Sequence, residues 1–158
     1  MLVLGSWAVG NIALGLGLYN QHQGEERYFH LMNAGWNVVN LGLATAGYLA
    51  AIKTDPASFG LFESINEQHK LQKIFLFNAG LDVGYVLGGL YLRERGKRVE
   101  KNPERLRGFG KSVILQGSFL FAFDLAAYWV QASGNKTIEP LLSKLQFSGQ
   151  HIGFLVQF

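Results

Sequence analysis

Two aspartates, Asp82 and Asp124, lie in stretches of the chain that are otherwise apolar and hold no lysine or arginine. An acidic side chain at the centre of a bilayer costs at least about 2.5 kcal/mol, so such a residue suggests a functional site. We expect each carboxyl group to be protonated, bonded to amides, or turned toward a hydrated or ion-occupied cavity. Two hypotheses follow: a neutral Asp82 hydrogen-bonded to Asn37 or Asn40, and a site that handles a proton or cation.

Six amide side chains lie in the same apolar stretches: Asn11, Asn33, Asn37, Asn40, Asn78 and Gln116. At 100° per residue, Asn33, Asn37 and Asn40 fall on one face of a helix. Asn78 likewise shares a face with Asp82. Such amides often join membrane helices through hydrogen bonds worth about 0.6 kcal/mol on average. We therefore expect the amides and the two aspartates to form a polar interior.

The elements that position these residues are four apolar segments. A helix needs about 20 mostly apolar residues to cross a bilayer core about 30 Å thick. The qualifying segments are residues 1–19, 29–52, 74–92 and 112–130. They lack the charged outer face of a soluble helix. The sequence predicts an all-α integral membrane protein, an antiparallel four-helix bundle over residues 1–135 with a C-terminal interfacial or extended tail over 136–158.

Composition and missing motifs narrow the function. Charged residues make up 16 % of the chain, against about 25 % in soluble domains. The absence of cysteine excludes disulfides, thiolate metal sites and cysteine nucleophiles. The sequence holds no P-loop, dinucleotide fingerprint or HExxH motif. We therefore expect no enzymatic activity, no cofactor and no metal site.

The distribution of basic residues predicts the topology. Eight of the fourteen lysines and arginines lie in the connection over residues 93–111, which the positive-inside rule places in the cytoplasm. Both termini are then outside. An outside N-terminus that opens directly on an apolar span predicts a signal peptide or a further helix upstream. This concentration of charge fits a topology signal better than a nucleic-acid surface.

A ridge of small residues runs along the third apolar segment. Gly80, Gly84 and Gly88 recur every fourth residue, a spacing that lets two membrane helices approach closely. The ridge lies about 130° around the helix from the face that carries Asn78 and Asp82. We expect it to meet a neighbouring span or another subunit, which makes self-association a hypothesis.

A resemblance to a known family rests on two runs of residues, 32–40 (MNAGWNVVN) and 78–85 (NAGLDVGY). Shorter runs at 108–110, 115–117 and 123–124 add to it. They resemble an uncharacterised bacterial family of multi-span membrane proteins, known as a domain of unknown function. The likeness extends from Trp7 to about Tyr128. It implies a bacterial inner-membrane protein, and it implies no activity, substrate or cofactor.

Three functions fit these observations. The first is a non-enzymatic structural or accessory subunit of a larger membrane assembly, with the bilayer and other membrane subunits as its partners. The second is a small proton- or cation-coupled transporter that uses Asp82 and Asp124. The third is a binder of a lipid, a quinone or another apolar molecule within the bundle.

Overall fold

The computed structural model describes residues 1–55, 59–142, 145–148 and 151–154, with side chains for 1–55, 59–60 and 62–133. The helices are α1 (Leu2–Tyr19), α2 (Gly24–Lys53), α3 (Leu61–Arg95) and α4 (Pro103–Leu142). Strands β1 (Leu145–Ser148) and β2 (His151–Phe154) then pair antiparallel, with Leu145 opposite Phe154. The predicted all-α four-helix class is confirmed. Helix α1 packs on α2, α2 on α4, and α4 on α3.

Helix α3 is longer than the apolar segment within it. It begins at Leu61 and not near residue 74, so much of the polar stretch predicted as a connection is helical. The first turn is capped because the Gly60 N–H donates to Glu63 Oε2 at 3.1 Å. Farther along, Gln68 and Gln72 donate to the carbonyl oxygen of Gln131 in α4 at 2.6 and 3.2 Å. The polar start of α3 is thus held against α4.

Among the described residues, three helices are long and apolar enough to cross a membrane: Leu2–Tyr19, Phe62–Arg95 and Pro103–Ser133. This indicates a membrane protein. Helix α2 falls outside this group because its asparagines lower the mean hydropathy. Asn33, Asn37 and Asn40 are nevertheless buried, whereas the neighbouring Val38 and Val39 are 60 % and 62 % exposed. The polar side chains of α2 therefore point inward, and Val38 and Val39 make its exposed side apolar. That α2 also crosses the membrane stays a prediction.

Glycines set how closely α3 and α4 approach. A Cβ atom on Gly89 would lie 2.8 Å from the Gly110 carbonyl oxygen and 2.8 Å from Ile114 Cγ1. By contrast, a Cβ on Gly80, Gly84 or Gly88 would meet nothing within 4 Å in the described chain. The predicted ridge therefore faces away from the other helices. Within the described chain, the expectation that it meets a neighbouring span is wrong, because α3 uses Gly89 for that contact.

Ion pairs join α2 to α4 at the end of the bundle that carries the basic connection. Arg107 Nε donates to Glu25 Oε2 at 2.8 Å, and Lys111 Nζ lies 2.8 Å from both Glu25 Oε1 and Glu26 Oε1. The hydrogen bonds from Lys111 and Arg107 hold the pKa of Glu25 below its ordinary value. Two of the eight clustered basic residues thus form ion pairs between these described helices.

Gly88 and Gly89 form a matched pair for testing this packing. We predict that Gly89→Ala destabilises the protein by about 1–3 kcal/mol, because the added methyl group meets the backbone of α4. Gly88→Ala should be neutral or stabilise by about 0.5–1 kcal/mol through helix propensity. Thermal unfolding in detergent measures both variants. Equal midpoints for the two variants would contradict the assigned α3–α4 contact.

Candidate functional site: a cavity ending on a carboxyl pair

A closed set of hydrogen bonds joins α1, α2 and α4. Trp7 Nε1 donates to Gln116 Oε1 at 2.9 Å, and Gln116 Nε2 donates to Asn33 Oδ1. Asn33 Nδ2 donates to Asn11 Oδ1 at 2.8 Å. Asn11 Nδ2 in turn donates to the Trp7 carbonyl oxygen at 2.8 Å, which closes the set. The structure thus brings together three residues predicted for the interior, on three helices. Trp7 was missing from that prediction, because its indole N–H is polar within a largely apolar side chain.

The remaining asparagines of α2 bond along their own helix. Asn37 Nδ2 donates to the Asn33 carbonyl oxygen at 2.8 Å, and Asn40 Nδ2 donates to Asn37 Oδ1 at 3.3 Å. In the described part of the chain, neither amide donates to Asp82. The hypothesis of an Asp82 bonded to Asn37 or Asn40 is therefore wrong in this structure. The Asn37 amide bonds instead to the backbone of its own helix, and the Asn40 amide bonds to the Asn37 side chain.

Asp82 instead faces Asp124. The two residues are only 3 % and 6 % exposed, and their carboxyl groups are neighbours in the bundle. Asp82 Oδ2 is buried and accepts no hydrogen bond from an N–H or O–H group of the described residues. Two carboxyl groups attract each other only when a proton or a cation lies between them. The pair therefore needs a positive charge or a hydrogen that it does not obtain from neighbouring side chains.

The pairing could have been found from the sequence. Asp82 lies eleven residues before Arg93, and Asp124 lies thirteen residues after Lys111. In two antiparallel helices that leave the same basic connection, these spacings place both carboxyl groups at a similar depth.

The carboxyl pair borders a cavity of about 340 Å³ between α2 and α3. Helix α4 contributes Leu120, Phe123 and Asp124 to its wall, α1 contributes Leu4, and Met1, which precedes α1, also lines it. The lining is largely apolar. Its polar members are Asn40, Asn78, Asp82, Tyr85 and Asp124.

Aromatic side chains line the cavity together with the carboxyl pair. Trp36 of α2 and Tyr85 of α3 contact edge to face, with ring centroids 4.9 Å apart. Phe75 and Phe123 also belong to the lining. Sequence reasoning missed Trp36 and Phe75, because an aromatic residue in an apolar segment looks like an ordinary packing residue. From the carboxyl pair the cavity runs toward Leu71, away from the basic connection.

A second depression, of about 630 Å³, lies on the surface of α1 and α2. Its polar residues are Ser6, Thr45 and Tyr48, and the Thr45 hydroxyl already donates to the Leu41 carbonyl oxygen at 2.8 Å. It contains no carboxyl group among its lining residues. Among the described side chains, no three histidine, aspartate or glutamate residues are grouped to hold a metal ion. The cavity at the carboxyl pair is therefore the candidate site.

These features define an all-α membrane protein with a polar interior. The chain belongs to the family of unknown function DUF6992, whose model matches residues 3–125. The match confirms the resemblance to an uncharacterised family, and it covers both aspartates. Searches of curated proteins and of solved structures give no match. The function must therefore be argued from the geometry of the site.

Proposed function

We propose that this protein is a non-enzymatic membrane protein that binds a small amphipathic molecule, such as a lipid or a quinone, in the cavity between α2 and α3. The observation that carries the proposal is an apolar cavity of about 340 Å³ that ends on two buried carboxyl groups. Small-molecule sites have volumes of about 300–1,000 Å³, with mostly apolar walls and a few polar groups that orient the ligand. The cavity has both properties.

The rim of the cavity supports entry from the bilayer. Val39, Leu43 and Leu81 line the cavity and are all exposed on the surface of the bundle. In a membrane, such an apolar rim contacts acyl chains. With the basic connection in the cytoplasm of a bacterial cell, the cavity opens in the outer half of the inner membrane. An amphipathic molecule then reaches the carboxyl pair without leaving the lipid phase.

The packing beyond the carboxyl pair favours binding over transport. Toward the basic end, Gly15 lies against Ala34 and Gly89 lies against Gly110, with room for no more than a hydrogen atom. A carrier that used Asp82 would have to separate these closely packed helices to expose the site on the second side. A binding protein requires no such movement.

Val39 and Val38 test whether the cavity is the binding site. Val39 lines the cavity, whereas Val38 is equally exposed but lies outside the lining. We predict that the wild-type protein and Val38→Trp retain a co-purifying amphipathic molecule after mild detergent extraction. Val39→Trp should lose it, because the indole fills the cavity. Organic extraction followed by mass spectrometry measures the bound molecule.

The outcome depends on the comparison between the two variants. Equal retention by Val38→Trp and Val39→Trp would mean that the molecule binds elsewhere, on the lipid-exposed surface. A wild-type protein that carries no amphipathic molecule in stoichiometric amount would contradict the proposed function directly.

The accessory-subunit hypothesis is a second candidate, and the exposed ridge of Gly80, Gly84 and Gly88 supports it. The three glycines point away from the rest of the described chain. A smooth ridge of this kind allows close approach of a helix from another protein. The two functions are compatible, since the ridge and the cavity lie on different faces of α3.

Gly84→Leu tests this second candidate. A Cβ atom at residue 84 would meet nothing within 4 Å in the described chain, so we predict an unchanged or higher unfolding temperature. If the ridge packs on another subunit, the same variant should lose the co-purifying partner in native mass spectrometry. A wild-type protein that is a clean monomer in native mass spectrometry would contradict the accessory role.

A further inference from the structure

The polar end of the cavity carries two carboxyl groups and no basic side chain. Asp82 and Asp124 both belong to the lining, and no lysine, arginine or histidine does. Asp82 Oδ2 is buried and accepts no hydrogen bond from the described residues. In a low-dielectric interior, an opposite charge a few Å away interacts far more strongly than in water. The missing partner is therefore best supplied by the ligand.

The aromatic residues favour the same kind of ligand. Trp36, Phe75, Tyr85 and Phe123 line the cavity together with the two carboxyl groups. Tryptophan and tyrosine rings attract cations through the negative potential of their faces, most strongly when the site is desolvated. Aromatic side chains combined with carboxylates are the usual means of binding quaternary ammonium groups. A neutral hydroxyl would gain little from these rings.

We infer that the molecule bound in this cavity is a cationic amphiphile, with an ammonium group between Asp82, Asp124 and the Trp36–Tyr85 pair and an apolar chain directed toward Leu71. The inference rests on the proposed function and specifies its ligand class. The ammonium group takes the place of the hydrogen that the two carboxyl groups otherwise share. Asn40 and Asn78 border the same cavity.

Octyltrimethylammonium and its neutral carbon isostere, 2,2-dimethyldecane, separate charge from shape. We expect the ammonium compound to bind the wild-type protein at least ten times more tightly than the isostere. Titrations in dodecyl maltoside, at matched mole fractions in the micelle, measure this through the shift in unfolding temperature, since a ligand of the folded state stabilises it by mass action.

Variants then show which residues bind the ammonium group. Asp82→Asn and Asp124→Asn should each weaken ammonium binding at least tenfold and leave binding of the isostere unchanged. Trp36→Leu should weaken ammonium binding several-fold. Trp129→Leu is the matched control, because Trp129 is 74 % exposed and lies outside the cavity. Asp124→Asn and Trp36→Leu keep the test decisive if Asp82→Asn fails to fold.

The outcomes distinguish this inference from the proposed function. Equal affinity for the two compounds would overturn the cationic ligand and leave amphiphile binding in place. Ammonium binding that is unchanged in both aspartate variants would also overturn it. If neither compound binds the wild-type protein, the cationic ligand is excluded, and the comparison of Val38→Trp with Val39→Trp decides amphiphile binding separately.

Discussion

The structure depends on one constraint: a polar side chain in a helix surrounded by hydrocarbon must find its partner inside the protein. Trp7, Asn11, Asn33 and Gln116 satisfy one another across three helices. Any rotation of α1, α2 or α4 would break several of these hydrogen bonds at once. The network therefore fixes the relative positions of the helices that form the walls and floor of the cavity.

The interior of the bundle has two parts along its length, a closely packed part with small residues and an open part with bulky ones. Toward the basic connection, glycines such as Gly15 and Gly89 allow the helices to touch, and the hydrogen-bond network fills the remaining space. Toward the opposite end, α2 and α3 are separated by bulky side chains such as Leu43 and Leu71, which leave a cavity between them. Asp82 and Asp124 lie where the packed part meets the open part. A molecule in the cavity can therefore reach the carboxyl pair. On the side of the basic connection, closely packed helices hold the pair in place.

Much of the fold could be predicted, because apolar length and the distribution of charge determine where helices cross a membrane. The four apolar segments and the buried positions of Asn33 and Asn37 follow from such patterns. The helix ends could not be predicted in this way, since α3 extends to Leu61 through polar residues that pack on α4. The neighbours of each helix also depend on tertiary contacts, which is why the spacing of the ridge that includes Gly84 could not tell a neighbouring span from another subunit. The cavity itself depends on the gap between α2 and α3, and no local pattern encodes that gap.

The central claim is that Asp82 and Asp124 face each other inside the bundle. The chain contains no cysteine, so the double variant Asp82→Cys/Asp124→Cys can be treated with a short bifunctional thiol reagent and analysed by intact-mass spectrometry. We predict an intramolecular cross-link in this variant and none in Gly84→Cys/Asp124→Cys, because Gly84 points away from the other helices. The facing arrangement of residues 82 and 124 would be contradicted if the two cysteines reacted singly with lipid-soluble maleimides and never became linked to each other.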